Sequence, residues 1–197
     1  MIDDHAKTSL LDDLRWTRAS LLGKLDGLSE YDVRRPLTET GTNLLGLVKH
    51  LAVTEARYLG EIFGRPFSEP IPRWDDSAGN RAHLWVTADE SRADVVERYR
   101  RACAHADATV EALPVDAPGH VPWWPRPDVL LFDVLVHVLT ETARHAGHAD
   151  IMRESLDGAT GMAAGPVPTV DEAARAARAE HRATVEAAAR AAAARSS

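Results

Sequence analysis

The chain has a single cysteine, Cys103, so no intramolecular disulfide can form, and a reducing compartment, the cytoplasm, is the expected setting. Cys103 stands in Arg-Arg-Ala-Cys-Ala-His on a helical pattern with no base assignable to it, and is read as structural rather than nucleophilic. Basic charge is in deficit: 23 Lys and Arg against 30 Asp and Glu leave a formal net charge of −7, which argues against a nucleic-acid surface. No run of roughly 18 apolar residues occurs, so no transmembrane helix is expected. The opening Met-Ile-Asp-Asp-His lacks the basic segment and apolar core of a signal peptide, and none is expected. A convincing alternating strand pattern is also missing, which removes the sheet-based folds.

What remains is an apolar fraction of 45%, enough for a sizeable core, spaced for helices. Leu10, Leu11, Leu14, Leu21, Leu22 and Leu25 predict a first helix over about 5–26, followed by Gly27 as a left-handed cap. Ser29 to Arg35 reads as a short helical turn that Pro36 stops. Thr42 or Asn43 can cap a second long helix, about 43–63, with Leu44, Leu47, Val48, Leu51, Tyr58, Leu59 and Ile62 at helical spacing. Thr87-Ala-Asp-Glu90 matches a capping box and predicts a third helix running to about Leu113. Asp128 is the expected cap of a fourth, about 128–156, closed by Gly158. Long irregular segments, 64–86 and 114–127, connect them, the second holding Trp123-Trp124 between prolines. After a small-residue linker, Thr169-Val-Asp-Glu172 is a second capping box opening an Ala-rich helix to about 193. The expectation is an all-α fold of four long helices, two wrapping loops and a terminal helix, with 1–158 as the main unit and 159–197 as linker and appended helix.

The chemistry concentrates in His137-Val-Leu-Thr-Glu141-Thr-Ala-Arg-His145-Ala-Gly-His148. Separations of four, four and three place these polar side chains along one helical stripe. Imidazole and carboxylate one turn apart, as in Glu141 and His145, can reach one metal ion at about 2.0–2.2 Å. A third ligand must come from another helix, and His50 on the second long helix is the best candidate. Glu55 is a reserve, lying nearer the centre of that helix's apolar stripe, and His137 or His148 can substitute for either ligand on the fourth helix. Three protein ligands would leave positions open for water or substrate, the pattern of a catalytic site. On spacing alone, ion pairing of Glu141 with Arg144 accounts for the stripe equally well. The Trp123-Trp124 pair is read either as the wall of a pocket or as loop packing.

Asn43-Leu-Leu-Gly-Leu-Val-Lys-His50-Leu-Ala-Val-Thr-Glu55 and Leu135-Val-His-Val-Leu-Thr-Glu141-Thr-Ala-Arg-His145-Ala-Gly-His148-Ala-Asp150 resemble the DinB/YfiT-like superfamily of bacterial metal-binding four-helix proteins. The resemblance covers about residues 5–158. It implies an up-down-down-up four-helix bundle, commonly dimeric, with Zn or Ni held by His50, Glu141 and His145. It further implies a metal-dependent thiol S-transferase using mycothiol or a similar thiol. His148 would then orient a ligand or move a proton, with Arg144 and Trp124 as contacts for the bound thiol. The isomerases of the superfamily carry a further C-terminal domain, so transfer is the activity expected for this chain. A metal-binding stress or detoxification protein without turnover is the alternative. Small-molecule substrates and a homodimer are expected, with neither nucleic acid nor membrane as partner.

Overall fold

The computed structural model describes residues 4–74, 81–161 and 170–195. The chain is mostly helical, in the order α1 (Asp4–Gly23), α2 (Glu30–Arg34), α3 (Leu44–Tyr58), α4 (Arg92–Ala112), β1 (Pro118–His120), β2 (Asp128–Leu130), α5 (Leu131–Asp157) and α6 (Glu172–Arg195), with a 3-10 turn at Glu61–Phe63. No described helix is long and apolar enough to cross a membrane.

Local chemistry sets most boundaries. The Asn43 side chain accepts the Gly46 N–H at 2.8 Å and starts α3. That helix ends at Tyr58, not at 63, and Gly60 follows with a Cβ position only 2.3 Å from the Ala56 carbonyl oxygen. The helix expected from the Thr87–Glu90 box starts one turn later. Glu90 does accept the Thr87 N–H, at 3.0 Å, but this closes a turn, and Ser91 is the cap, accepting from the Asp94 N–H at 3.0 Å. Asp128 does not cap α5: it lies in β2, and Asp133 accepts the Leu130 N–H at 2.9 Å instead. The β1–β2 pair, with Gly119 opposite Val129, is a departure from the expected all-helical chain. Its strands are three residues each, too short to print an alternation in the sequence. Gly119 lets the hairpin sit on the 3-10 turn, since a Cβ there would lie 2.9 Å from Phe63 and 3.0 Å from Ile62. Thr169 lies outside the described residues, and Asp171 accepts the Ala174 N–H at the start of α6. None of the residues of α6 is buried, as its alanines offer little area, and Arg178 links it to the Gly158 carbonyl and to Thr160.

Four of the helices contact one another in a ring: α1 packs on α5 and α4, and α3 packs on α4 and α5. One apolar cluster joins Leu21, Leu25, Val48, Leu51 and Tyr99, and a second joins Leu11, Leu14, Leu59, Val110, Leu135 and Val138. Among the buried residues of α1 and α3 are also the charged Arg18 and Glu55. Their side chains form a bidentate pair at 2.7 Å for both bonds, and Arg18 also donates to Asp107 at 2.5 Å. Glu55 is fully buried and Arg18 only 5% exposed. This buried pair raises the Arg18 pKa further still, against the opposing effect of burial.

The segment at 81–86 closes over the first turn of α3 through Gly46. A Cβ at Gly46 would fall 2.2 Å from the Leu84 carbonyl oxygen and 3.0 Å from the Asn43 side chain. Backbone cannot yield as a side chain does, so Gly46→Ala is expected to cost about 1–3 kcal/mol of stability. A lower urea midpoint with unchanged slope would show this, and an unchanged midpoint would contradict the contact.

Candidate metal centre

The ring of helices brings His50 of α3 against Glu141 and His145 of α5. One ligand atom from each of the three lies within 4.8 Å of the others, the one such cluster among the described residues. His145 Nε2 is 3.0 Å from Glu141 Oε1, and His50 Nε2 is 3.6 Å from the same oxygen. Around a tetrahedral ion with bonds of about 2.0–2.2 Å, neighbouring donors stand about 3.4 Å apart, so these spacings fit one small divalent ion. The donor set, two imidazoles and a carboxylate, suits zinc or another first-row divalent metal.

The protonation states fit as well. The His50 imidazole, with His145 beside it, holds the Glu141 carboxyl at about 2, so it is ionised. Burial, with the His50 ring adding to it, pushes the His145 imidazole below its ordinary value, toward the neutral form. Ligands must be in these forms to bind a metal. The other nitrogen of His145, Nδ1, is 3.3 Å from His148 Nδ1. One imidazole can accept from the other there, the outer support by which a metal-ligating histidine is commonly oriented.

Glu55, the reserve ligand, is elsewhere: both of its oxygens are taken by Arg18. Five positions of helix separate it from His50, a rotation of about 140°, which turns it into the core while His50 faces α5. His148 is exposed and touches His145 from outside. Arg144 is exposed on the solvent side of α5, apart from the residues that line the pocket described next.

Beside the cluster opens a pocket of about 200 Å³ lined by His50, Thr54, Tyr58, Trp74, His137 and Glu141. His137 thus faces the pocket, and burial lowers its pKa. Trp123 and Trp124 both donate their indole N–H to the Tyr58 hydroxyl, at 2.9 and 3.1 Å. Trp124 also packs edge-on against His137 at 4.8 Å. The tryptophan pair therefore packs its loop on the helices, behind Tyr58 and His137, which line the pocket. The Arg57 guanidinium lies 3.9 Å from the Trp74 ring centre and 4.6 Å from that of Trp123, and pairs with Glu61 at 3.5 Å.

Two site features had no signal in the spacing. His83, 8% exposed, sits with its ring centre 5.5 Å from that of His50, and burial lowers its pKa. It arrives from a connecting segment, where no periodicity predicts a neighbour. The convergence of Tyr58 and Trp74 with Trp123 and Trp124 was equally hidden, although a tyrosine and an arginine ending an apolar helix are the kind of polar tips that need a partner.

A model of the mycothiol S-transferase family matches residues 9–158, from the first turns of α1 to the glycine that closes α5, and so spans all three clustered side chains and the pocket walls. Comparison with curated proteins gives no match. With three quarters of its length accounted for in this way, the chain belongs to the mycothiol S-transferase family, a DinB-like family.

Proposed function

We propose that this protein is a divalent-metal-dependent S-transferase that joins a low-molecular-weight thiol, with mycothiol the first choice, to an electrophilic carbon. The observation that carries this reading is the convergence of His50, Glu141 and His145 within 4.8 Å at the edge of a pocket. Three protein donors leave room for a further ligand, whereas a storage or structural site is closed by a fourth. The non-catalytic alternative is the weaker for that reason. The family model supports the choice of thiol.

A divalent ion held there, zinc or nickel, would lower the pKa of a thiol and supply thiolate near neutral pH. His50, Glu141 and His145 bind the ion, and the negative charge of Glu141 limits the net charge of the site. His148, exposed and on the outer nitrogen of His145, orients that ligand, and the thiol proton is given up to solvent. The sulfur electron pair forms the new C–S bond, and the pair it displaces leaves on the departing atom or on a conjugated oxygen, which takes up a proton. Trp124 braces the pocket wall, and Arg144 meets a polar part of the thiol beyond the pocket.

The wider frame of the proposal is an up-down-down-up four-helix bundle over 1–158, with 159–197 appended, acting as a cytoplasmic homodimer. The side-chain links between helix ends support that topology. Lys24 at the end of α1 meets Asp150 near the end of α5, while Lys49 early in α3 meets Glu90 just before α4. Tyr58 at the end of α3 lies against His137 early in α5.

The test is metal removal and return. Protein stripped by a chelator is expected to form no conjugate between mycothiol and a model electrophile by mass spectrometry. Addition of Zn or Ni is expected to restore it. Conjugation at full rate by the stripped protein would overturn the proposal.

A further inference from the structure

We infer that Tyr58 is the specificity-determining donor of the pocket, and that the pocket takes a small, flat ligand whose carbonyl oxygen accepts the Tyr58 O–H. This rests on reading the pocket as the place of the electrophile in the proposal above.

An indole nitrogen can only donate, so the bonds from Trp123 and Trp124 both fall on the Tyr58 oxygen as acceptor. Both of its lone pairs are then occupied, and the phenol can act further only by donating its own proton. Among the described residues no acceptor meets that proton. Tyr58 is 7% exposed and is one of the residues that line the pocket. A buried hydroxyl proton without an acceptor is costly, and a ligand oxygen in the pocket relieves that cost.

Shape and charge narrow the ligand. A volume of about 200 Å³ corresponds to roughly seven waters, room for one ring and a short substituent. The walls are rings: Trp74 stacks near Tyr58 at 5.8 Å and 26°, and His137 stands 4.7 Å from Tyr58. On the Tyr58 side of the pocket, away from His50 and Glu141, Arg57 is enclosed by Trp74 and Trp123 and paired with Glu61, so it offers no countercharge to a carboxylate there. An uncharged carbonyl is the acceptor that this wall suits.

The probes are acetophenone and ethylbenzene, similar in shape and differing in the oxygen, titrated by ligand-observed NMR into the metal-loaded protein. No thiol is present, so the outcome does not depend on whether thiol transfer occurs. Wild type is expected to bind acetophenone about tenfold more tightly, the worth of one good hydrogen bond. Tyr58→Phe is expected to abolish that preference while leaving the affinity for ethylbenzene unchanged, a split that mere damage to the wall would not produce. Trp124→Phe frees one lone pair of the phenol and so releases its proton from facing the ligand, and is expected to reduce the preference several-fold. No preference in wild type, a preference kept in Tyr58→Phe or in Trp124→Phe, or an equal loss for both probes would each overturn the inference.

Discussion

His145→Ala is expected to lose both bound metal and thiol transfer, with metal affinity falling by more than about 100-fold. Loss of an outer partner of a metal-binding histidine already costs about 10–100-fold, and His145 is placed to be a ligand itself. Its removal would leave His50 and Glu141, two donors 3.6 Å apart, which cannot hold a small divalent ion against water. The same result is expected of Glu141→Ala. His148→Ala, by contrast, removes only the outer contact of His145 at 3.3 Å, so a smaller loss of affinity is expected, within the 10–100-fold range. Metal content by plasma emission, measured on untagged protein together with transfer rate, checks all three. Wild-type metal content in His145→Ala would remove the centre as described.

Glu55→Ala is expected to cost about 3–5 kcal/mol of stability, because it leaves the Arg18 guanidinium buried without its principal partner. Asp107 remains bonded to Arg18, but it also serves Arg15 and is partly exposed, so it cannot replace two bonds of 2.7 Å. The double variant Arg18→Met/Glu55→Leu is expected to recover most of the loss, since the penalty comes from an unpaired buried charge and not from absent attraction. Urea unfolding of both variants decides this; a double variant as unstable as the single one would refute it. The folded fraction of Glu55→Ala should keep its metal, since Glu55 is turned away from His50. Loss of metal there would return Glu55 to the ligand set.

The two carboxylates on the helices of the site show what a sequence discloses. Glu141 and His145 are one turn apart, and periodicity alone puts them on one face. His50 is a different case: nothing in its own helix points to α5, so its place on the other long amphipathic helix made it the best candidate, and its resemblance to a known motif strengthened the choice. Glu55 was ambiguous because a central position in an apolar stripe fits a ligand and a buried ion pair alike. The partner that resolves it, Arg18, lies 37 residues earlier on another helix. Helices were legible wherever caps and apolar spacing agreed, as at Asn43 and Gly158. Boundaries failed where a second cap competed, as Ser91 did with Thr87, or where a three-residue strand displaced a cap, as at Asp128. The pocket wall was the least legible part, since Tyr58, Trp74, Trp123 and Trp124 come from segments whose meeting is fixed by tertiary packing.

That wall also makes the protein optically self-reporting. Of five tryptophans, Trp74, Trp123 and Trp124 crowd around one tyrosine beside the pocket, while Trp16 and Trp85 stand about half exposed at 50% and 42%. A molecule entering the pocket changes the surroundings of three emitters at once, against a steady background from the other two. Occupancy can therefore be followed in the intrinsic emission of the unlabelled chain, at the dilution and speed that stopped-flow work requires.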